Sequence, residues 1–486
     1  MGLKIPSPVS IAISFFLLLG VLFAGFQWLD QPISAGKWYF FRNPFGLTHS
    51  SDDLPARPAA EDCPGVCANT TTAPEVRPFP SGPSCPDYLR WIHEDLRPWN
   101  RSGITREMLE AGKKLANFRL AIVGGKAYVE TYRKSFQTRD LFTIWGILQL
   151  LSWYPGRIPD LDLMFNGGDV PRVLAKHYRP NKGLMPPPVF HYCADDASHD
   201  IVFPDWSFWG WAEVNIKPWE RLVKELRAGN GRRKWKDRER SAYWRGNPYV
   251  SGTREDLLKC NLSESHDWNA RLYIQNWDEE TRRGFKQSNL ADQCTHRYKI
   301  YVEGAAWSVS RKYILACDSP TLSVKDRYYD FFSRSLLPGQ HFWPISADNK
   351  CPSIKFAVDW GNSHPQKAQE IGKAGSSFIL NDLRMENVYD YMFHALTEYA
   401  KLLRYKPTIP SAAKPVCSES MASTESGRVK EFMIESKVEG PRNAGPCALP
   451  PPDPAAIESL MRRKKESVKQ VQRWEREARD RRNKGT

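Results

Sequence analysis

The sequence predicts an α/β protein with two parallel sheets, preceded by an N-terminal transmembrane helix. Three observations predict it. Short apolar runs end in glycine-containing or small-residue turns and pass into helical segments, the alternation that gives parallel sheets. The composition can build a core, with 41% hydrophobic and 12% aromatic residues and 18 Trp in 486 residues. From Ile5 to Leu29 the chain carries no charge, and VSIAISFFLLLGVLFAGFQWL is long and apolar enough to span a bilayer.

Residues 1–8 are expected as a cytoplasmic N-terminus and 9–29 as a signal anchor. A signal peptide cut after Ile33-Ser34-Ala35 is the alternative, set against by an apolar run longer than the usual one. Residues 30–84, rich in Pro, Ser, Ala and Asp, read as a stem. Sequons at Asn69, Asn100 and Asn261 and an even set of ten cysteines favour a lumenal, oxidising setting. Cys63, Cys67 and Cys85 lack a nearby fourth metal ligand, so disulfides are expected there.

A compact region runs from about Cys85 to Pro410. TREMLEAGKKLANF reads as helix, FRLAIV and KAYVE as paired strands around Gly124-Gly125, and RDLFTIWGILQLLSWY as an apolar helix. Strand DLMF then ends at the turn NGGDVPR. In the second half, strands SAYWRG and YKIYVEG lead into helices TREDLLKC and SRKYILAC. HPQKAQEIGKAGSSFI and MENVYDYMFHALTEYAKLLRY are long helical patterns that close the region. Residues 411–486 read as a disordered Pro/Ser-rich linker followed by a basic, marginally amphipathic tail.

The formal charge of +14 does not mark a nucleic-acid binder. Residues 461–486 hold eleven Lys/Arg against four Asp/Glu, so half the excess sits in that tail. Zinc-finger spacing and RNP-like aromatic motifs are absent, and no nucleic-acid partner is expected.

Ligands of α/β sheets bind at the carboxyl ends of strands, so three strand-to-helix junctions matter. In YWRGNPYVSGTR, Thr253 and Asp256 read as a capping box. Arg254 in the first helical turn is a candidate bidentate donor to a diphosphate, or a solvated arginine. Arg245 reads as readily as structural support. In YVEGAAWSVSRKY, Gly304, Ala305 and Ala306 leave room for a ligand to reach backbone N–H groups, and Ser308 and Ser310 add hydroxyls; close helix–sheet packing is the alternative. Arg311 and Lys312 read as added charge or as a solvated pair. In FNGGDVPRV, Asp169 is either a general base or a turn former.

HDIVFPDWSFWGW concentrates Trp206, Phe208 and Trp209, a surface for stacking a sugar ring or part of the core. His199 beside Asp200 reads as a turn. Asp160-Leu161-Asp162 has the form of a metal-binding DxD, but its alternation with leucines puts both carboxylates on one solvated face.

GRIPDLDLMFNGGDVP, HDIVFPDWSFW, YWRGNPYVSGTR, YKIYVEGAAWSVSRKYILACDS and AQEIGKAGSSFI together resemble glycosyltransferase family 90, which contains Rumi-type protein O-glucosyltransferases and capsule-associated xylosyltransferases. The similarity runs from about Cys85 to Tyr405. It implies a GT-B fold, two Rossmann-like domains facing a cleft, with 85–220 on the acceptor side, 221–384 binding a UDP-sugar and 385–410 as a closing helix. It also implies metal-independent, inverting transfer of glucose or xylose, with no cofactor beyond the donor. Asp169 inherits the role of base. The donor loop falls on Ala305, Ala306, Trp307, Ser308, Val309 and Ser310, with Arg254 beside it. Asn247 replaces a family serine, and Lys217 stands where the glucosyltransferases have a donor-binding tyrosine. The family's peptide-acceptor region falls around Arg139 to Thr143 and is poorly matched, so the acceptor is a protein or a cell-wall polysaccharide, held by Trp206, Phe208 and Trp209. Rumi-type enzymes end in a KDEL-like signal, whereas this chain ends RRNKGT. A Golgi membrane protein of type II topology is therefore expected, with the ER membrane as the alternative.

Overall fold

A computed structural model describes residues 82–179 and 183–484, with side chains to 481. These fall in the compact unit Pro55–Thr486. The expected anchor, most of the stem, Asn69, Cys63 and Cys67 lie outside the described residues. Among those described, no helix is long and apolar enough to cross a membrane.

The first sheet has the order β11-β2-β1-β3-β4-β5. β1 (Phe118–Val123) and β2 (Lys126–Thr131) form an antiparallel hairpin whose turn is Gly124-Gly125. Both glycines have positive φ, 58° and 74°, which a two-residue turn of this twist requires. β3 (Leu161–Phe165) pairs antiparallel with β1 and parallel with β4 (Val189–His191), and β4 pairs parallel with β5 (Ile201–Val202). This sheet is therefore mixed where a parallel one was expected, because the hairpin reverses the chain before β3.

The second sheet is parallel throughout, in the order β10-β9-β8-β6-β7. Its strands are β6 (Glu239–Gly246), β7 (Ala270–Ile274), β8 (His296–Tyr301), β9 (Thr321–Val324) and β10 (Trp343–Ile345). From β6 the chain moves to one side to make β7, then returns to the other side to make β8. The switch point lies between the carboxyl ends of β6 and β8, where open α/β sheets bind ligands.

Two apolar cores underlie the sheets. One contains Leu120, Phe165, Trp209 and Tyr391, and the other Trp244, Ile300, Trp343 and Ile354. The closing helix Met385–Leu402 packs on the first sheet, and the helices Lys350–Ser363 and Pro365–Ser377 on the second side.

Residues 411–484 depart from the expected linker. β11 (Lys414–Val416) extends the first sheet beside β2, and Phe432 and Met433 are buried in the first core. The helix Pro454–Lys484 sets Leu460 in the first core and Val471 in the second. Its apolar residues recur on one face, which the full sequence composition, averaged with many charges, obscured. Three disulfides join Cys85 to Cys447, Cys260 to Cys351 and Cys294 to Cys317. Cys85 thus pairs across 362 residues instead of within its own cluster.

Candidate active site

Asp169 sits four residues beyond the carboxyl end of β3. Two side chains shape the turn that carries it. Asn166 Oδ1 accepts from the Gly168 amide at 2.9 Å, and Asn117 Oδ1 accepts from the Gly167 amide at 2.9 Å. A Cβ on Gly167 would meet Ser135 Oγ at 2.4 Å, so a larger residue there would displace the Ser135 hydroxyl. Downstream, the buried Asp200 accepts from the Arg172 amide at 2.9 Å and the Val173 amide at 2.8 Å, fixing the chain after Asp169. Burial, opposed by those amides, pushes the Asp200 carboxyl up to about 7. The His199 amide donates to the Val173 carbonyl, so the His199-Asp200 pair serves this turn as expected.

The Asp169 carboxylate is one-third exposed, and its Oδ1 lies 3.0 Å from Nη1 of the buried Arg139. Arg139 opens the apolar helix Arg139–Trp153, donates to the Gly167 carbonyl at 3.3 Å, and lies 4.4 Å over the Trp206 ring. Phe136, 48% exposed, flanks the guanidinium, and Val170, 43% exposed, adjoins Asp169. A base with one oxygen clamped and one face open can take a proton from a docked hydroxyl. Sequence reading missed Arg139 as its partner; the signal was an arginine at the head of a largely apolar helix.

On the second sheet, Arg254 spans the switch point. Its Nε donates to the Glu303 carbonyl at 2.9 Å and its Nη1 to the Asn247 carbonyl at 3.1 Å. Its Nη2 reaches the Val302 carbonyl at 3.3 Å and Ser308 Oγ at 3.1 Å. Four of the five guanidinium hydrogens are thus used, which corrects the expected bidentate donor: one hydrogen is left. Among the described residues no carboxylate pairs with this buried cation, and burial lowers its pKa. Such a charge has a net electrostatic deficit that an anion would offset. The helix cap also differs from expectation. Ser251, not Thr253, accepts from the Arg254 amide, and Asp256 pairs with Lys259 and Lys350.

The loop after β8 is held by hydroxyls. Ser308 Oγ lies 2.8 Å from Ser310 Oγ, and the Ser308 amide donates to the Tyr301 hydroxyl at 3.2 Å. Ala306 and Trp307 are buried, whereas Ala305, Ser308, Val309 and Ser310 are half-buried. Asn247 Oδ1 accepts from the Tyr249 amide at 3.0 Å. Arg245 is half-buried and faces the Tyr273 ring at 5.5 Å.

Trp307 joins this loop to the Asp169 side. Its ring contacts Tyr192 at 5.6 Å, Trp206 at 6.2 Å and His191 at 6.2 Å, and Trp206 carries Arg139. A buried ion pair adds a second link: Lys312 Nζ lies 2.6 Å from Ser207 Oγ and 3.3 Å from Asp205 Oδ2. Arg311 pairs with Asp326 at 2.7 Å, so neither residue is the solvated cation considered from sequence. Among the described residues, five buried polar atoms without a partner lie here: Ser135 Oγ, Arg139 Nε, His191 Nε2, Trp206 Nε1 and Trp307 Nε1. Each costs about 1–3 kcal/mol while left without a hydrogen bond to protein, ligand or water.

Other expectations are corrected. Trp206, Phe208 and Trp209 are core residues, with no ring face open for stacking a sugar. Trp209 donates to the Tyr389 hydroxyl, and Phe208 packs on Trp219 and Phe331. Lys217 is ion-paired with Glu225 at 2.6 Å. The two DxD carboxylates do not share a solvated face: Asp162 is buried against Arg119, and Asp160 accepts from the Gly124 amide at 2.8 Å. They flank the amino end of β3, roughly 16 Å of strand from the turn that bears Asp169. Asn100 is exposed, whereas the Asn261 amide is half-buried and bonded both ways to the Leu272 backbone.

A partly exposed carboxylate past one sheet and a buried cation without an ion pair at the switch point of another suit group transfer from a donor with an anionic leaving group. The chain belongs to glycosyl transferase family 90, which matches residues 81–475. It is accordingly a glycosyltransferase. It is 29% identical to Protein O-glucosyltransferase 1 of Bos taurus over 346 residues, covering 68% of this chain and 83% of that protein. The Homo sapiens protein of that name is 28% identical with the same coverage. O-glucosyltransferase rumi of Drosophila melanogaster is 24% identical over 342 residues, 67% of this chain and 80% of that protein.

Proposed function

We propose that the protein transfers glucose or xylose from a UDP-sugar to a hydroxyl of a protein or cell-wall polysaccharide, with inversion at the anomeric carbon. The two sheets are read as Rossmann-like domains of a GT-B-like arrangement facing a cleft. The observation that carries this reading is the pairing of Asp169 with Arg139 on one side and the unneutralised Arg254 on the other, bridged by Trp206 and Trp307.

In this mechanism the acceptor oxygen attacks the anomeric carbon as its bond to the UDP oxygen breaks. The acceptor proton passes to Asp169, and UDP leaves with the electron pair. Arg139 holds Oδ1 and leaves the other oxygen for the proton. Arg254 acts on the diphosphate through its charge and its one remaining N–H, while Asn247 and the 305–310 loop position the donor. Asp169 reaches the acceptor without help from Trp206, Phe208 or Trp209, so the exposed Phe136 and Val170 are the acceptor-side surface.

The name O-glucosyltransferase borne by the relatives supports glucose and a protein acceptor. Three disulfides and the exposed Asn100 sequon support a lumenal setting, read as the Golgi membrane with type II topology or the ER membrane. The test is a panel of UDP-sugars offered with peptide and polysaccharide acceptors, with and without chelator. The expected result is chelator-resistant turnover of UDP-glucose or UDP-xylose to a product of inverted anomeric configuration. Strict dependence on an added divalent cation, or retention of configuration, would overturn it.

A further inference from the structure

Four rings form one contact cluster between Asp169 and the loop after β8: His191, Tyr192, Trp206 and Trp307. Three nitrogens in this cluster, His191 Nε2, Trp206 Nε1 and Trp307 Nε1, are buried without a hydrogen-bond partner among the described residues. His191 ends β4, is fully buried, and connects to Asp169 through Cys193, whose thiol donates to the Asp169 carbonyl at 3.3 Å. Its Nδ1 lies 2.9 Å from the Cys193 carbonyl, to which it can donate, and 3.1 Å from the Cys193 amide nitrogen, from which it can accept, so the ring proton sits on Nδ1 in the first case and on Nε2 in the second. With the proton on Nδ1, Nε2 is a bare acceptor; the two indoles are bare donors in either tautomer. Burial holds the imidazole neutral, its pKa pushed down to about 3.

A charged ligand group finds no matching charge on these three atoms. A sugar hydroxyl matches them in donor and acceptor character, because its oxygen accepts from an indole N–H while its hydrogen is donated to a bare imidazole nitrogen. The cluster lies between Asp169 and the loop against which the donor is read to seat, the side on which a transferred sugar would meet the acceptor. We infer that His191 Nε2 recognises a hydroxyl of the transferred sugar and, with the Trp307 indole, helps to set which sugar nucleotide the enzyme accepts. This rests on the UDP-sugar reading above and makes His191 a positioning residue, with no proton transfer assigned to it.

The experiment compares the full chain with His191→Asn, His191→Gln and Trp307→Phe. Dissociation constants are measured for UDP and for the UDP-sugar that the wild type turns over. Asn keeps a polar atom near Nδ1 and removes the one at Nε2, whereas Gln restores an acceptor near Nε2. His191→Asn is expected to weaken the UDP-sugar by roughly tenfold and leave UDP within about twofold, as loss of one ligand hydrogen bond predicts. His191→Gln is expected to recover most of that loss. Trp307→Phe, which keeps an aromatic ring, gives the Asn pattern and serves if His191→Asn fails to fold. If each variant shifts UDP and the UDP-sugar equally, or melts earlier with both affinities unchanged, the nitrogens serve the fold and the inference falls. A wild-type chain that binds neither UDP nor any UDP-sugar would instead sink the underlying function.

Discussion

At the residue scale, a buried cation without an ion pair among the described residues stands at the switch point; Arg238, Arg297 and Lys299 share that state elsewhere in the protein, so it is the place of Arg254 at the carboxyl ends of β6 and β8 that singles it out. Arg119 and Lys312 are buried cations, each matched by a buried aspartate, whereas Arg254 is matched only by carbonyls and one hydroxyl. Arg254→Ala is expected to weaken UDP binding by about 1.5–3 kcal/mol, the range for a charged hydrogen bond. It is also expected to lower the melting temperature, because three backbone carbonyls at the switch point lose their donor; unchanged UDP affinity in a titration would remove it from the donor site. Asp200 offers a separate, structural test. Its carboxyl titrates at about 7 when folded, against about 3.9 in the unfolded chain. Between those values the folded state holds a proton that the unfolded state has released. The stability this group contributes is present below pH 4 and is lost as pH rises through 7. Asp200→Asn should therefore melt closer to, or above, the wild type as pH rises from about 5 to about 7.5, and a pH-independent difference would contradict the assignment. Turn glycines and a helix start framed Asp169 and Arg254 as candidates, each with a structural alternative, and their roles came from the resemblance to glycosyltransferase family 90. Arg139 and His191 were hidden, since their roles come from contacts between distant segments.

At the element scale, what could be read from sequence was what carries local periodicity. The hairpin around Gly124-Gly125, the strands β3, β6 and β8 and the helices Arg139–Trp153, Pro365–Ser377 and Met385–Leu402 each have a pattern of their own, whereas the helices Trp219–Arg232 and Lys350–Ser363 were not read from sequence. β4, β5, β9 and β10 have two to four residues each, so no period of two had room to appear. The cap of the Gly252–Leu257 helix shows the same limit. Thr253 and Asp256 match a capping motif, yet the extended backbone of Ser251 makes it the cap. Ser251→Ala is expected to cost about 1 kcal/mol and Thr253→Ala much less, as read by urea unfolding. Equal effects would contradict the assignment.

At the scale of the whole molecule, segments expected to be accessory are part of the fold. The region after residue 410 supplies β11, core residues and the partner of Cys85. Tertiary contacts, not composition, order it: Trp474 stacks on Trp360 at 5.8 Å, and Ser353 donates to Glu475 at 2.6 Å. Cys447→Ser should lower stability by about 2–5 kcal/mol, because the lost bridge closes a long loop in the unfolded chain; an unchanged denaturation midpoint would show that the bridge does not constrain it. The same long-range architecture links Asp169, past β3, to the loop after β8 through Arg139, Trp206 and Trp307, and the proposed transfer depends on that junction. Its most direct test is Asp169→Asn, with UDP affinity and transfer rate measured side by side on one preparation. The account predicts UDP binding within about twofold of wild type and transfer reduced by on the order of 10²-fold or more. Near-normal transfer by this variant would contradict it.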